Sequence, residues 1–416
     1  MAERNSPLIL GTEPIGKLLI QYSVPAIIAM TVTSLYNIID SIFIGHGVGA
    51  LAIAGLAITF PLMNLVVAFC TLVGIGGATI SSIFLGQKDK VRATEVVHNV
   101  LIMCIINAVC FGGFFFFFFF FVFLFFGASH DTLPYARDFM QVILLGTPIT
   151  YVFIGLNNVM RATGYPRKAM FSSLLTVGCN IILAPIFIFS FDWGIRGAAL
   201  ATVVSQTVAM VWVLVHFANK KNFIHFDRRY SRLKVRVVAK IFSIGMSPFL
   251  MNVCACVVVI FFNNALQHTG GDLAIGAYGI VNRTLMLFVM IVMGITQGMQ
   301  PIVGYNYGAK QYDRVRKTLR YGITAGVVVT TVGFVLSELF PHAIVAMFTT
   351  SEELVDLSVT GLRISCAMFP FVGCQIVISN FFQSIGRAPV SIFLSLSRQL
   401  LFLLPLLLIL PTYWST

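Results

Sequence analysis

The sequence predicts an all-α integral membrane protein made of two six-helix bundles, related by a pseudo-two-fold axis along the membrane normal. Three observations predict it: extreme apolarity, long apolar runs between short polar loops, and an internal repeat. The 416 residues are 58% hydrophobic and 10% charged, with mean hydropathy +0.92. A water-soluble chain of this length cannot bury that much apolar surface. The runs are about 20 residues or longer, the length a helix needs to cross a bilayer. A β-barrel would instead alternate over about 10 residues.

Eleven spans follow from the hydropathy pattern, at 16–44, 52–85, 95–126, 134–160, 168–190, 195–218, 238–267, 273–306, 316–346, 356–383 and 390–411. Several exceed what a perpendicular helix requires, so tilt or protrusion is expected. Met1 to Glu13 is polar and leads into the first span without a small-residue cleavage site, so no cleavable signal is expected. Phe114 to Phe121 is eight consecutive phenylalanines. It is expected to be a lipid-facing part of the third span.

The net charge of +12 sorts by side. Lys88, Lys90, Arg92, Arg161, Arg167, Lys168, the 220–240 segment, Lys310, Arg314 to Arg320 and Arg387 fall in alternate loops, with Arg4 and Lys17. The opposite loops hold Arg196 and mostly acids. The positive-inside rule then places the basic loops and the N-terminus in the cytoplasm. The charge is therefore read as membrane orientation and not as nucleic-acid binding.

The second half repeats the first at an offset near 222. Gly76 matches Gly298, Gly86 matches Gly308, Pro148 matches Pro370, Asn158 matches Asn380 and Gly164 matches Gly386; Pro25 matches Pro248 one residue out of step. Such a common offset marks a duplicated unit. Six spans separate equivalent points, so the halves share one orientation. In transporters of this build the substrate path lies between the lobes near the midplane. The expected division is an N-terminal lobe 1–218, a cytoplasmic linker 219–237 and a C-terminal lobe 238–416. The repeat predicts twelve spans, and the counterpart of the sixth would fall at 417–440, so eleven are expected here.

The eight cysteines all lie in apolar segments without zinc-site spacing, and are read as packing residues. No His-Glu-x-x-His, paired-aspartate or Ser/His constellation lies within the spans, so an enzyme is not expected, nor a cofactor. A carboxylate inside a span is costly unless paired or facing water. Asp40 is such a group, with Tyr36 one turn before it on the same face and Asn37 beside it. It is the candidate site for a proton or Na⁺. Glu338, near the end of the ninth span, is expected to be interfacial. The positions matching Asp40 in the second half are Phe262 or Asn263, so a cation site would belong to the first lobe alone. The second half offers amides instead, among them Gln297, Gln300, Gln375 and Asn380.

Several segments resemble motifs of the multidrug and toxic compound extrusion (MATE) family. They are Tyr36 to His46 in the first span, Asn157 to Pro166 after the fourth, Asn180 to Ile188 in the fifth and Trp193 to Thr202 entering the sixth. The resemblance covers the whole chain and points to the prokaryotic branches. It implies a secondary active exporter in a prokaryotic cytoplasmic membrane. Such an exporter uses inward H⁺ or Na⁺ flow to expel amphipathic, often cationic xenobiotics by alternating access, as a monomer. It implies that Asp40, Asn180 and Thr202 form the cation site, with Tyr36, Asn37 and Asn157 as substrate contacts. Position 184, commonly an aspartate in the family, is alanine here. Either coupling runs through Asp40 alone, or it is impaired. The alternative is a lipid-linked oligosaccharide flippase of the same superfamily, which would need basic residues in the cavity; Arg283 is the one deep candidate.

Overall fold

The computed structural model of the chain describes residues 7–125, 132–349, 351–403 and 405. Helices dominate them and no strand occurs among them. A 3₁₀ turn, Pro7–Gly11, leads into α1 (Ile15–Gly47), α2 (Ala50–Gly86), α3 (Lys90–Phe125), α4 (Leu133–Ala162), α5 (Pro166–Pro185) and α6 (Gly194–Ala218). The second half has α7 (Val235–Gly308), α8 (Tyr312–Leu339), α9 (Pro341–Ala346), α10 (Glu352–Cys366), α11 (Phe369–Ser384) and α12 (Ala388–Leu396). Among the described residues nine stretches are long and apolar enough to cross a membrane, ten if α10 and α11 count as one bent span. The chain is a multi-pass membrane protein. The predicted eleventh span, 390–411, is described through residue 403 and at 405, as the end of α12 and a π turn, Ser397–Leu403; its last residues lie outside the described set.

Helix α7 joins two predicted spans in one 74-residue element. A straight helix of that length would be about 111 Å long. Yet Gly76 of α2 packs on Ile241, near the start of α7, and Gly86 packs on Tyr305, near its end. Ten residues of α2 cover only about 15 Å. The element therefore doubles back between its apolar limbs, Val235–Phe262 and Gly276–Gly308. The reversal falls between Phe262 and Gly276, the stretch that contains the loop predicted at 268–272.

Two predicted spans are broken by proline. The ninth, 316–346, stops at Leu339, and Pro341 opens the short α9. The tenth, 356–383, bends by 51° between α10 and α11, with Pro370 in the first turn of α11. Its repeat mate Pro148 lies inside the unbroken α4. That helix is packed against α2, α3 and α6, which keep it continuous across the missing hydrogen bond. In the phenylalanine run, Phe114, Phe117 and Phe118 point outward, as expected, while Phe115 packs inward on Phe111. Cys70, Cys104, Cys254 and Cys366 are buried free thiols, whereas Cys110 is exposed.

The repeat is visible in the backbone. Lys88 and Lys310, 222 residues apart, both take positive φ, near 60°, directly after α2 and α7. Each is followed by the same backbone bond, Asp89 N to Phe84 O and Gln311 N to Asn306 O, both 2.9 Å. Gly164 and Gly386 form a second positive-φ pair, after α4 and α11. At the interface the pairs become reciprocal. A Cβ on Gly86 would collide with the Tyr305 carbonyl, and one on Gly308 with the Ile83 carbonyl, where 305 is the mate of 83. Gly76 meets Gly245, and its mate Gly298 meets Ser23, the mate of Gly245. Reciprocal contacts between equivalent residues are what a two-fold axis produces.

Close backbone approach makes this seam intolerant of side chains. Gly245→Val is expected to lower stability by ~2 kcal/mol, read as a fall in melting temperature in detergent. Gly178, whose Cβ would meet nothing within 4 Å, serves as the control and should accept alanine with little change.

Candidate functional site

In the first half, three helices converge on a polar cluster. Tyr36 comes from α1, Asn180 from α5 and Thr202 from α6. The Tyr36 and Thr202 hydroxyls lie 3.1 Å apart, and Asn180 Nδ2 donates to both, at 3.1 Å each. Asn180 is 2% exposed. Its Oδ1 is buried with no hydrogen-bond partner, and so is Oδ1 of Asp40, one helical turn beyond Tyr36. Ala184, one turn beyond Asn180, is fully buried. The cluster thus presents two unsatisfied buried oxygens in an otherwise apolar bundle, an arrangement suited to a cation or a proton.

The sequence-predicted residues divide into three groups. Tyr36, Asn180 and Thr202 touch one another, and Asp40 shares their helix face. Asn157 is 7% exposed; it accepts from Ser172 Oγ at 3.1 Å and donates to Ser173 Oγ at 3.3 Å. These bonds fasten α4 to α5. The Asn37 side chain lies outside the described set.

A second polar group joins the halves at the end that carries the basic loops. Arg161 Nη1 donates to Gln297 Oε1. Gln300 Nε2 donates to Thr79 Oγ1 at 2.7 Å, and Lys234 pairs with Glu95. Arg314 donates to the carbonyls of Leu10 (3.0 Å) and Glu13 (2.7 Å) and to Asn306 Oδ1 (2.8 Å), while Asn306 Nδ2 also donates to Leu10 O. Leu10 is fully buried, and Pro7 rests on Gly164 of the first half. The N-terminal 3₁₀ turn therefore sits between the halves as a clasp. Arg161 was legible from sequence only as a loop charge. Its partner was signalled by the amides in the eighth span, but the pairing was not.

The opposite half of the interface is open. Helix α1 meets the second limb of α7 at Ser23–Gly298, Ile27–Gly294 and Met30–Gln297. Seven residues further along the same stripe of α7, Leu287 is 48% exposed. The two helices part beyond Met30, leaving a cleft. At that end Arg196 pairs with Asp138 at 2.7 Å and Arg363 with Glu338 at 3.6 Å, so Glu338 lies in an ion pair near its helix end.

A duplicated helical membrane protein, closed at one end and cleft at the other with a buried carboxylate beside the cleft, is of the secondary-transporter class. The family model MatE matches residues 25–186 and 244–409, one match per half. The chain belongs to the MATE family. It is 29% identical over 377 residues to the multidrug export protein MepA of Staphylococcus haemolyticus, covering 90% of this chain and 82% of that protein. Identity to MepA of Staphylococcus aureus is 26% over 379 residues, with the same coverage. Among solved structures, the MATE multidrug transporter DinF-BH, solved in complex with a ligand, is 36% identical, with TM-score 0.90 and coverage of 97% and 91%. An outward-facing multidrug resistance MATE transporter has TM-score 0.92 at 23% identity, covering 97% of this chain and 90% of that one, a likeness of fold.

The cluster generates two opposed stability effects. Tyr36→Phe leaves Asn180 and Thr202 each one partner short and is expected to cost ~1 kcal/mol. Asp40→Asn removes a buried charge and is expected to raise the melting temperature in detergent. Thermal unfolding of the purified variants checks both.

Proposed function

We propose that this protein exports amphipathic, often cationic xenobiotics across a prokaryotic cytoplasmic membrane, by cation-coupled antiport and alternating access. The observation that carries the reading is the unpartnered buried oxygen of Asp40 beside the Tyr36–Asn180–Thr202 cluster. Similarity to multidrug export proteins over most of the chain supports it. The coupling ion is H⁺ or Na⁺, and no other cofactor is invoked. Asp40, Asn180 and Thr202 hold the ion, and Tyr36 and Asn37 are assigned to the substrate.

In this reading the clasp end is cytoplasmic, consistent with its basic loops. The closed end and open cleft then correspond to an outward-facing state. A cation neutralises Asp40 and removes the cost of an unpaired carboxylate. That changes the packing of α1, where Pro25 supplies a bend point inside the helix. The lobes, taken as 1–218 and 238–416, then rock about the glycine seam while the clasp and the Arg161–Gln297 bond release. Ala184 leaves Asp40 as the one carboxylate of the cluster, so ion binding is weaker than in a two-acid site.

Dye efflux from reconstituted vesicles under an imposed proton or sodium gradient tests this reading. Asp40→Asn is expected to lower gradient-driven efflux by about tenfold or more, since loss of ~1.4 kcal/mol of coupling suffices. Undiminished export by that variant overturns the role of Asp40. Ala184→Asp is expected to shift half-maximal stimulation to lower cation concentration.

A further inference from the structure

Resting on the reading of the cleft as the transport path, we propose that its second-half wall is an anion-recognising subsite centred on Arg283. The preferred ligand is then an amphiphile carrying a carboxylate or phosphate beside its apolar body. Arg283 is exposed and pairs with no carboxylate among the described residues. It lies 11 residues from Gly294, three helical turns along the same stripe. That stripe meets α1 at Gly294 and Gly298 and emerges into the cleft at Leu287. Arg283 therefore projects from the wall of the cleft that faces α1.

Depth places it opposite the carboxylate. Measured outward from the Ile27–Gly294 contact, Arg283 stands about 16 Å along α7 and Asp40 about 20 Å along α1. The two groups are level, on opposite halves, and of opposite sign. An unpaired arginine at bilayer depth is costly unless it faces water or a ligand. The same half carries Arg398, with no acid partner among the described residues, in the π turn Ser397–Leu403 after α12. Near it in sequence or across α12, Gln399 Oε1, Gln375 Oε1 and Ser379 Oγ are buried with no partner. The second half thus sets an arginine at this depth, where the first half holds the carboxylate. A fork of guanidinium donors suits carboxylate and phosphate geometry, which an ammonium or an amide matches less well.

A matched ligand pair isolates the effect. Rhodamine 6G is an ester cation; its free acid, rhodamine 19, has the same ring system with a carboxylate and is a zwitterion at neutral pH. Binding of both to the purified full chain, in detergent free of phospholipid, is measured by fluorescence anisotropy. The acid is expected to bind about tenfold tighter, the scale of one charge-assisted bond. Arg283→Gln should erase that advantage while leaving ester binding unchanged, and Arg283→Lys should restore part of it. Equal or weaker binding of the acid, or parallel loss of both ligands in Arg283→Gln, overturns the proposal.

Nanodiscs with and without anionic phospholipid separate the two sources of the anion. Competition by the lipid against the acid assigns the subsite to a lipid phosphate, and absence of competition assigns it to a dissolved carboxylate. Gradient-driven efflux of the ester is measured in parallel. Efflux without an acid preference sinks the anion subsite and leaves export standing. An acid preference without efflux does the reverse.

Discussion

The halves of this protein meet backbone to backbone, and the rest of the structure depends on that approach. Lipid tails are as apolar as leucine, so no hydrophobic force drives helices together inside a bilayer. Close packing and a few hydrogen bonds must suffice. Gly76, Gly86, Gly245, Gly294, Gly298 and Gly308 remove the side chains that would keep α1, α2 and the two limbs of α7 apart. The seam runs along one end of the molecule only. Beyond Met30 and Gln297 the stripe on α7 carries larger side chains, and the helices diverge. The cleft is the consequence of where the glycines stop.

Polar groups follow the same division. At the clasp end the charged groups that join the halves are taken up: Arg314 by two carbonyls and Asn306, Arg161 by Gln297, Lys234 by Glu95. Beside the cleft other polar groups are not. Asp40 and Asn180 each keep a buried oxygen without a partner, and Arg283 has no acid among the described residues. A bilayer protein tolerates such groups where water or a ligand reaches them. The bonded charges therefore mark where the halves are held together. Apart from the Lys234–Glu95 ion pair, these holding bonds join long flexible side chains to neutral amides or carbonyls.

The duplication constrains shape more tightly than chemistry. Paired turns at Lys88 and Lys310, and at Gly164 and Gly386, keep equivalent backbones. Elsewhere the copies have diverged. Pro148 is absorbed in an unbroken α4, whereas Pro370 accompanies a 51° bend between α10 and α11. The acid of α1 has no mate on α7, where Phe262 or Asn263 stands. A symmetric frame with unlike walls can offer one molecule two different surfaces.

Helix content, the multi-pass character and the duplication were legible in the sequence because each rests on a local or periodic signal. Spans follow from apolar length, and the repeat from a constant offset that survives in Gly76, Gly86, Gly164 and their mates. Most of the polar cluster was legible too, since Asp40 is conspicuous in an apolar span and Asn180 and Thr202 lie in recognisable motifs. Residues whose partners are distant in the chain were not. Asn157 looked available and is instead tied to Ser172 and Ser173; Arg161 looked like a loop charge and is bonded to Gln297, 136 residues away. Composition fixes which residues must leave water, and periodicity fixes which face they share. Only the tertiary structure decides which polar groups find partners across helices, because a hydrogen bond depends on distances of tenths of an ångström that hydropathy does not encode. The helices, the multi-pass character and the doubling belong to the sequence. The closed end, the cleft and the unmatched charges beside it belong to the packing.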